Sequence, residues 1–359
     1  MESRHPTRRP FAFDTVLLLL MTGLTITARS WTDQLTPLVL PIAALYALPD
    51  LLAYGRSLRL FHFAFGSKLT FRLKLVIIWL LVGLFVLLPA LSAIVLRQAT
   101  EPYLYVQDGL VQTEEAIKFL LKGQNPYVED YTGTAMADVY FDEGELTTNP
   151  ALYHLVYLPA AFTLPIPLHL MSNALLGWYD HRFFHLLAFL GLLMLLPVLA
   201  NSPERKLSLL LVVGLNPLLV PFVVQGQNDV LVIFWLVVTS LLLRGRRYVG
   251  SAITLGLACS TKHTAWFFAP FYFVYLISGI TSLAQARLAI RRALPAALVV
   301  AAFLIPFVIW NLQAFLDDIW RYLSGGTATA YPLAGVGFGA AAVQMGLVDH
   351  YTDTFPLWL

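Results

Sequence analysis

The sequence predicts an all-α fold: a polytopic transmembrane helix bundle with a large outer loop of juxtamembrane helices. Three observations carry this expectation. Of 359 residues, 58% are hydrophobic and only 12% charged, about half the charged fraction of a soluble domain. Apolar runs near the ~20 residues needed to cross a ~30 Å hydrocarbon core recur along the chain. Basic and acidic residues are also sorted to opposite ends of those runs, as the positive-inside rule demands. The net charge of +2 therefore says nothing about nucleic acid. Cys259 is the single cysteine, which excludes a disulfide framework and a thiolate metal cluster.

The expected spans are about 11–28, 35–54, 75–96, 183–200, 207–224, 229–243, 248–260, 264–280 and 294–310. MESRHPTRRP leads into the first without a small-residue cleavage site, so it reads as a span and not as a removed signal. Arg4, Arg8 and Arg9 precede it, and Arg56, Arg59, Lys68, Arg72 and Lys74 fall between spans two and three. Arg205 and Lys206, then Arg244, Arg246 and Arg247, then Arg287, Arg291 and Arg292 follow spans four, six and eight. Placing these in the cytoplasm accounts for 16 of the 23 Lys and Arg and puts the N-terminus on the cytoplasmic side.

That parity holds only if residues 151–178, ALYHLVYLPAAFTLPIPLHLMSNALLGW, do not cross. The segment is broken at Pro159, Pro165 and Pro167 and carries Tyr, His and Trp, as befits helices lying at the interface. Outer regions then cover 97–182 and 311–359, and 17 of the 21 acidic residues and six of the eight His fall outside. Residues 1–74 read as two additional N-terminal helices, 75–310 as a core, and 311–359 as a second outer loop. The closing DTFPLWL looks like the head of a further span.

Two polar clusters stand out. VQGQNDV (224–230) opens span six and CSTKHT (259–264) closes span seven. From each to the cytoplasmic arginines is only about 13–15 residues, or ~20 Å of helix, too short for the core. Gln227, Asn228, Asp229, Lys262 and His263 are thus expected below the outer membrane plane, where an ionisable residue is a functional candidate. The plainer reading pairs a snorkelling Lys262 with Asp229. In QDGLVQTEEAIKFLLKGQNPY (107–127), Thr113 can cap a helix with Glu114 and Glu115 at its positive end, Glu114 and Lys118 form an i,i+4 pair, and Gly123 with Pro126 stops it. The helix is expected to lie flat on the membrane with Asp108 just ahead of its N-terminus, a position that suits an ionised general base. Asp108-Gly109 is also a common turn pair, and on spacing alone a turn is the simpler reading.

A loop Asp after an in-to-out span, a short helix ending LLKGQNPY and interface helices beginning NPALYHLVYLP resemble, in that order, the GT-C superfamily of integral-membrane glycosyltransferases. GQNDVLVIFWLVVTSLLLRGRRYVGSAITLGLACSTK looks like the core of its bacterial polyprenyl-phosphate-mannose-dependent, mannosyltransferase-like branch. The likeness covers roughly residues 75–310. It implies transfer of a mannose-like hexose or a pentose from a polyprenyl-phosphate donor to an acceptor hydroxyl of a glycan, lipid or protein of the cell envelope. It makes Asp108 the catalytic base, with Glu115 as fallback. Lys262, His263, Arg97 and Arg182 become the donor-phosphate candidates. Gln227, Asn228, Asp229, His154 and Tyr153 become the substrate contacts. The chain has Asn149-Pro150-Ala151-Leu152-Tyr153 where the family often has a Pro-Pro-x-x-Tyr-like element, which puts the role of Tyr153 in question. No DxD motif appears, which favours a lipid donor; no cofactor is implied, and a divalent metal is not indicated. Asp317 and Asp318, beside Trp320 and Tyr322, read as an interface helix. Two rivals use the same residues: a lipid or glycan flippase and an outer-leaflet glycan ligase or polymerase. No repeat of broken helices, the mark of many transporters, is visible between the halves.

Overall fold

A computed structural model of the chain describes residues 9–27, 36–58, 60, 62, 64–100, 104–139, 148–327, 333 and 338–349; the expected further span at 353–359 lies outside them. The described residues are helical and include no β-strand. In chain order the principal helices are α1 Phe13–Thr27, α2 Thr36–Ser57, α3 Ser67–Ala99, α4 Asp108–Leu121 and α5 Ile166–Leu176. They continue with α6 Arg182–Leu195, α7 Pro203–Gly214, α8 Asp229–Arg244, α9 Tyr248–Thr261 and α10 Leu283–Trp310. Among the described residues, four helical stretches are long and apolar enough to cross a membrane: Pro37–Ser57, Ser67–Ala99, Arg182–Leu199 and Leu283–Trp310.

The other five expected spans are shorter. Phe13–Leu24, Tyr248–Thr261 and His263–Ile277 are apolar helices of less than full span length, and α8 has 16 residues. The run 207–224 is split between α7 and a short helix Val220–Gln225. Pro217 has no amide hydrogen to continue the ladder, and the Asn216 side chain accepts from the Leu218 amide at 3.0 Å to turn the chain.

The chain divides into two compact units, Met1–Val95 with Leu186–Gln225, and Leu96–His185 with Gly226–Leu359. The first unit is held by a buried charge cluster. Lys74 Nζ donates to Asp14 Oδ2 at 2.9 Å, Asp50 Oδ2 at 2.8 Å and Thr15 Oγ1 at 2.8 Å, and the Tyr46 hydroxyl donates to Asp14 at 2.7 Å. Lys74 is thus no loop cation, as the sequence suggested. It is buried in the third turn of α3, where three oxygen acceptors from α1 and α2 offset the loss of its hydration.

The second unit is organised around α4. Every residue from Gly109 to Ile117 is buried, so this helix is an internal strut and does not lie flat on a surface with a polar face outward. Val111, Ala116 and Ile117 join a core with Tyr127, Tyr131, Leu155, Phe162, Phe307 and Phe315. The Tyr127 ring meets Phe307 and Phe315 edge-on at 5.5 and 4.9 Å. The helix also begins five residues before Thr113, at Asp108. Thr113 sends its hydroxyl back to the Gly109 carbonyl at 2.7 Å, the i−4 bond that satisfies a mid-helix threonine, and so cannot cap. Gly123 ends the helix as expected. Its φ of +76° is open to glycine without strain, and the Gln124 amide closes on the Phe119 carbonyl at 2.9 Å, a Schellman closure. Elsewhere in this unit α9 meets α10 closely at Gly256, where a Cβ would lie 2.6 Å from Val299 Cβ and 2.8 Å from the Ala296 carbonyl oxygen. Small residues at such crossings let helix backbones approach.

Candidate functional site

Asp108 occupies the first turn of α4, half-buried. Its Oδ1 accepts from the Gly109 amide at 2.7 Å and from Gln107 Nε2, and its Oδ2 accepts from Asn149 Nδ2 at 2.9 Å. Asn149 is itself fixed, because its Oδ1 accepts from the Ala151 amide and caps the Pro150–Leu152 turn. Gln112, one helical turn on, donates to the Ala151 and His154 carbonyls at 2.5 and 2.8 Å. The Tyr157 hydroxyl lies against Gly109, where a Cβ would sit 1.8 Å from it. Residues 149–157 are thereby stapled along the first turns of α4. The carboxylate at their junction is preorganised: its partners are held by other bonds, and the helix N-terminus favours negative charge there.

The GQND loop reaches the same place. Gly226 has φ +90°, and a Cβ on it would lie 2.1 Å from Leu110 Cδ1 and 2.8 Å from Arg182 Cγ. The loop backbone therefore rests on the residue two beyond Asp108. Gln227 is half-buried beside it, and Asn228 is buried with no hydrogen-bond partner at Nδ2. Asp229 opens α8 and holds Lys262, the residue after α9, through both carboxylate oxygens at 2.9 Å. The plainer reading of that pair is the one found, so Lys262 can meet a phosphate only by exchanging Asp229 for it. His263 is buried with its ring 4.9 Å from Trp266.

The two arginines expected at the donor phosphate are structural. Arg97 makes a two-pronged pair with Glu114 at 3.0 and 2.7 Å and reaches Asp180 at 3.0 Å. Arg182 holds Asp180 through Nε at 2.8 Å and NH2 at 2.7 Å and donates NH1 to the Tyr105 carbonyl at 2.8 Å. Both guanidinium groups are buried and neutralised, since charges removed from water must be matched. Burial alone would raise the Asp180 carboxyl, but Arg182 and Arg97 pull it down to about 2. Burial raises Glu114 against the opposing pull of Arg97 and the His181 amide. Glu114 is therefore not the partner of Lys118; Glu115 is, at 2.6 Å.

Asp318, expected on an interface helix, is buried in a helical turn, accepting from the Leu155 amide at 2.9 Å and lying 2.8 Å from His154 Nδ1. Burial pushes its carboxyl up to about 6, against the pull of His154 and the Leu155 amide. When ionised it can only accept, which places the hydrogen on His154 Nδ1 and leaves Nε2 the basic nitrogen. Tyr322 stacks on the His154 ring at 4.4 Å. Tyr153, next to it, is 46% exposed.

Glu115, the fallback base, belongs to a different feature. A cavity of about 230 Å³ is lined by Arg97, Glu114, Glu115, Lys118, His169 and Trp178, among others. The structure thus brings Asp108, Asn149, His154 with Asp318, and the 226–229 loop to the first turns of α4, and places Arg97 with Glu115 in the cavity further along it. Among the described residues no group of three or more His, Cys, Asp or Glu is disposed to hold a metal ion. No protein-family model, curated protein or solved structure matches the chain.

Proposed function

We propose that the chain is a membrane glycosyltransferase that moves a sugar from a polyprenyl-phosphate donor to an acceptor hydroxyl, with Asp108 as general base. The observation that supports this best is the held but accessible Asp108 carboxylate at a helix N-terminus, with the amide-bearing Gln227–Asn228 loop resting on Leu110. In the proposed reaction the acceptor hydroxyl gives its proton to Asp108 while its oxygen bonds to the anomeric carbon. The bond from that carbon to the donor phosphate breaks, and the phosphate leaves with the electron pair, through an oxocarbenium-like transition state. Lys262, released from Asp229, meets the departing phosphate with His263 beside it. Gln227, Asn228 and the Asp318-oriented His154 contact sugar hydroxyls. This reading takes the shorter apolar helices as further crossings of the bundle and residues 97–182 as its canopy on the outer face.

The test is transfer from a radiolabelled polyprenyl-phosphate sugar by wild type and Asp108→Asn. Loss of a general base lowers turnover by about 10²–10⁴-fold, and undiminished transfer in the variant overturns the assignment. Movement of the lipid across vesicles without a new glycosidic bond identifies a transporter instead.

A further inference from the structure

The cavity of about 230 Å³ along α4 is walled by Glu115, Lys118, His169, Asn173, Trp178 and Tyr179 together with the Arg97–Glu114 pair, and the chemistry assigned to Asp108 does not use it. We infer that it binds one neutral, hydroxylated ring: a sugar residue of the acceptor other than the one that reacts. The inference rests on the glycosyltransferase reading for the word acceptor, but not for the chemistry of the ligand.

Charge excludes a phosphate. Arg97 is matched by Glu114 and Asp180, and Lys118 by Glu115 at 2.6 Å. No cation in this wall is left over to balance an incoming anion, and an anion entering a partly enclosed cavity without a counter-charge is disfavoured. A neutral ligand needs no such partner. What the wall does lack is a hydrogen-bond partner for His169 Nδ1, on a side chain only 8% exposed. A buried polar nitrogen left unmatched costs about 1–3 kcal/mol, so a small turn of this lining side chain that let a ligand hydroxyl reach Nδ1 would be favoured by that much. Glu115 and Asn173 can accept from or donate to further hydroxyls. Trp178 and Tyr179 place aromatic rings in the wall, and an aromatic ring's negative face suits the C–H face of a sugar. The volume is below that of drug-sized pockets, as a single ring requires.

Position supplies the link to the reaction. Asp108 and Glu115 are seven residues apart on one helix, so they share a face two turns apart, ~10 Å along the axis. A glycan engaging both must run along α4, with the reacting hydroxyl at the Asp108 end.

The experiment uses the full chain in lipid nanodiscs and a panel of linear hexose and pentose di- and trisaccharides, with binding read by saturation-transfer NMR. At least one oligosaccharide is expected to bind wild type. Trp178→Ala and Glu115→Gln are expected to weaken it at least tenfold, with Asp317→Asn, outside both sites and paired with Arg321, within twofold of wild type. Asn173→Ala, at an exposed position, repeats the test where the Trp178 variant does not fold, and a thermal midpoint within a few degrees of wild type certifies each protein. Failure of every oligosaccharide to bind, or inorganic phosphate binding that Trp178→Ala and Asn173→Ala weaken, overturns the inference whatever the transfer assay gives. Oligosaccharide binding lost in the cavity variants with undiminished transfer by Asp108→Asn keeps the sugar site and removes the base assignment.

Discussion

Gly226→Ala separates backbone strain from crowding at the contact that brings the GQND loop to α4. At φ +90° any residue but glycine is strained, at about 1–2 kcal/mol. The new Cβ would sit 2.1 Å from Leu110 Cδ1 and 2.8 Å from Arg182 Cγ. Leu110 is 1% exposed and Arg182 is fully buried and bonded to Asp180, so neither yields freely, and overpacking of this kind adds about 1–3 kcal/mol. The variant should therefore lose about 2–5 kcal/mol in equilibrium unfolding in mixed micelles. Gly123→Ala is the control, since φ there is +76° with nothing within 4 Å of the added carbon. It should lose only the strain, about 1–2 kcal/mol. Leu110→Ala alone should cost about 2–5 kcal/mol, but combined with Gly226→Ala the loss should fall about 1–3 kcal/mol short of the sum, because the truncation makes room for the methyl. The reasoning is refuted if Gly226→Ala is no worse than Gly123→Ala and the double variant is additive within ~0.5 kcal/mol.

Asp318 gives a dependence on pH. Its carboxyl, at 3.8 ordinarily, sits at about 6 in the fold, so the folded state holds the proton more tightly than the unfolded chain. Its contribution to stability is present in full below about 4 and is lost as pH rises to about 6, by about 3 kcal/mol at most. Asp318→Asn should remove that slope between pH 4 and 6, read by unfolding at a series of pH values. Protonation of Asp318 below about 6 should give the transfer rate an acidic limb there, and the same variant, which turns the His154 tautomer round, should abolish it. In the Arg97–Glu114–Asp180 cluster, Glu114→Leu or Arg97→Met alone should each cost about 3–5 kcal/mol, while the double replacement recovers most of it. Lys74→Met leaves Asp14 and Asp50 without their cation and should cost a similar amount; a loss under ~1 kcal/mol would show that the cluster is not held by that charge.

The sequence is legible where the structure answers to local chemistry. Gly123 and Pro126 end α4, the prolines between 159 and 167 interrupt the helices there, and the Lys262–Asp229 pair was one of two readings of those residues. The start of α4 was misplaced because threonine serves both as a cap and as a mid-helix residue bonded to i−4, and only packing decides between them. The remaining errors have one physical origin. Arg97 finds Glu114 at 17 residues and Asp180 at 83, and His154 finds Asp318 at 164. No periodicity relates such partners, so a buried, matched charge and an exposed, available one have the same signature in sequence. The pairing of Arg97, Arg182 and Asp318 is invisible in the sequence for that reason.

The Lys74 cluster has a consequence for biogenesis. Each of Lys74, Asp14 and Asp50, presented singly to the bilayer in a nascent helix, opposes insertion by up to about 2.5–3.5 kcal/mol at mid-membrane depth. Their bonds to one another remove much of that opposition only when α1, α2 and α3 are together. Under the reading in which α1 crosses beside α2 and α3, the three helices should therefore enter the membrane as a set, with α1 and α2 retained at the insertion machinery until α3 delivers its lysine. A lesion at any one of these residues would then appear first as protein that is made, fails to integrate and is degraded, while the molecules that do integrate remain active.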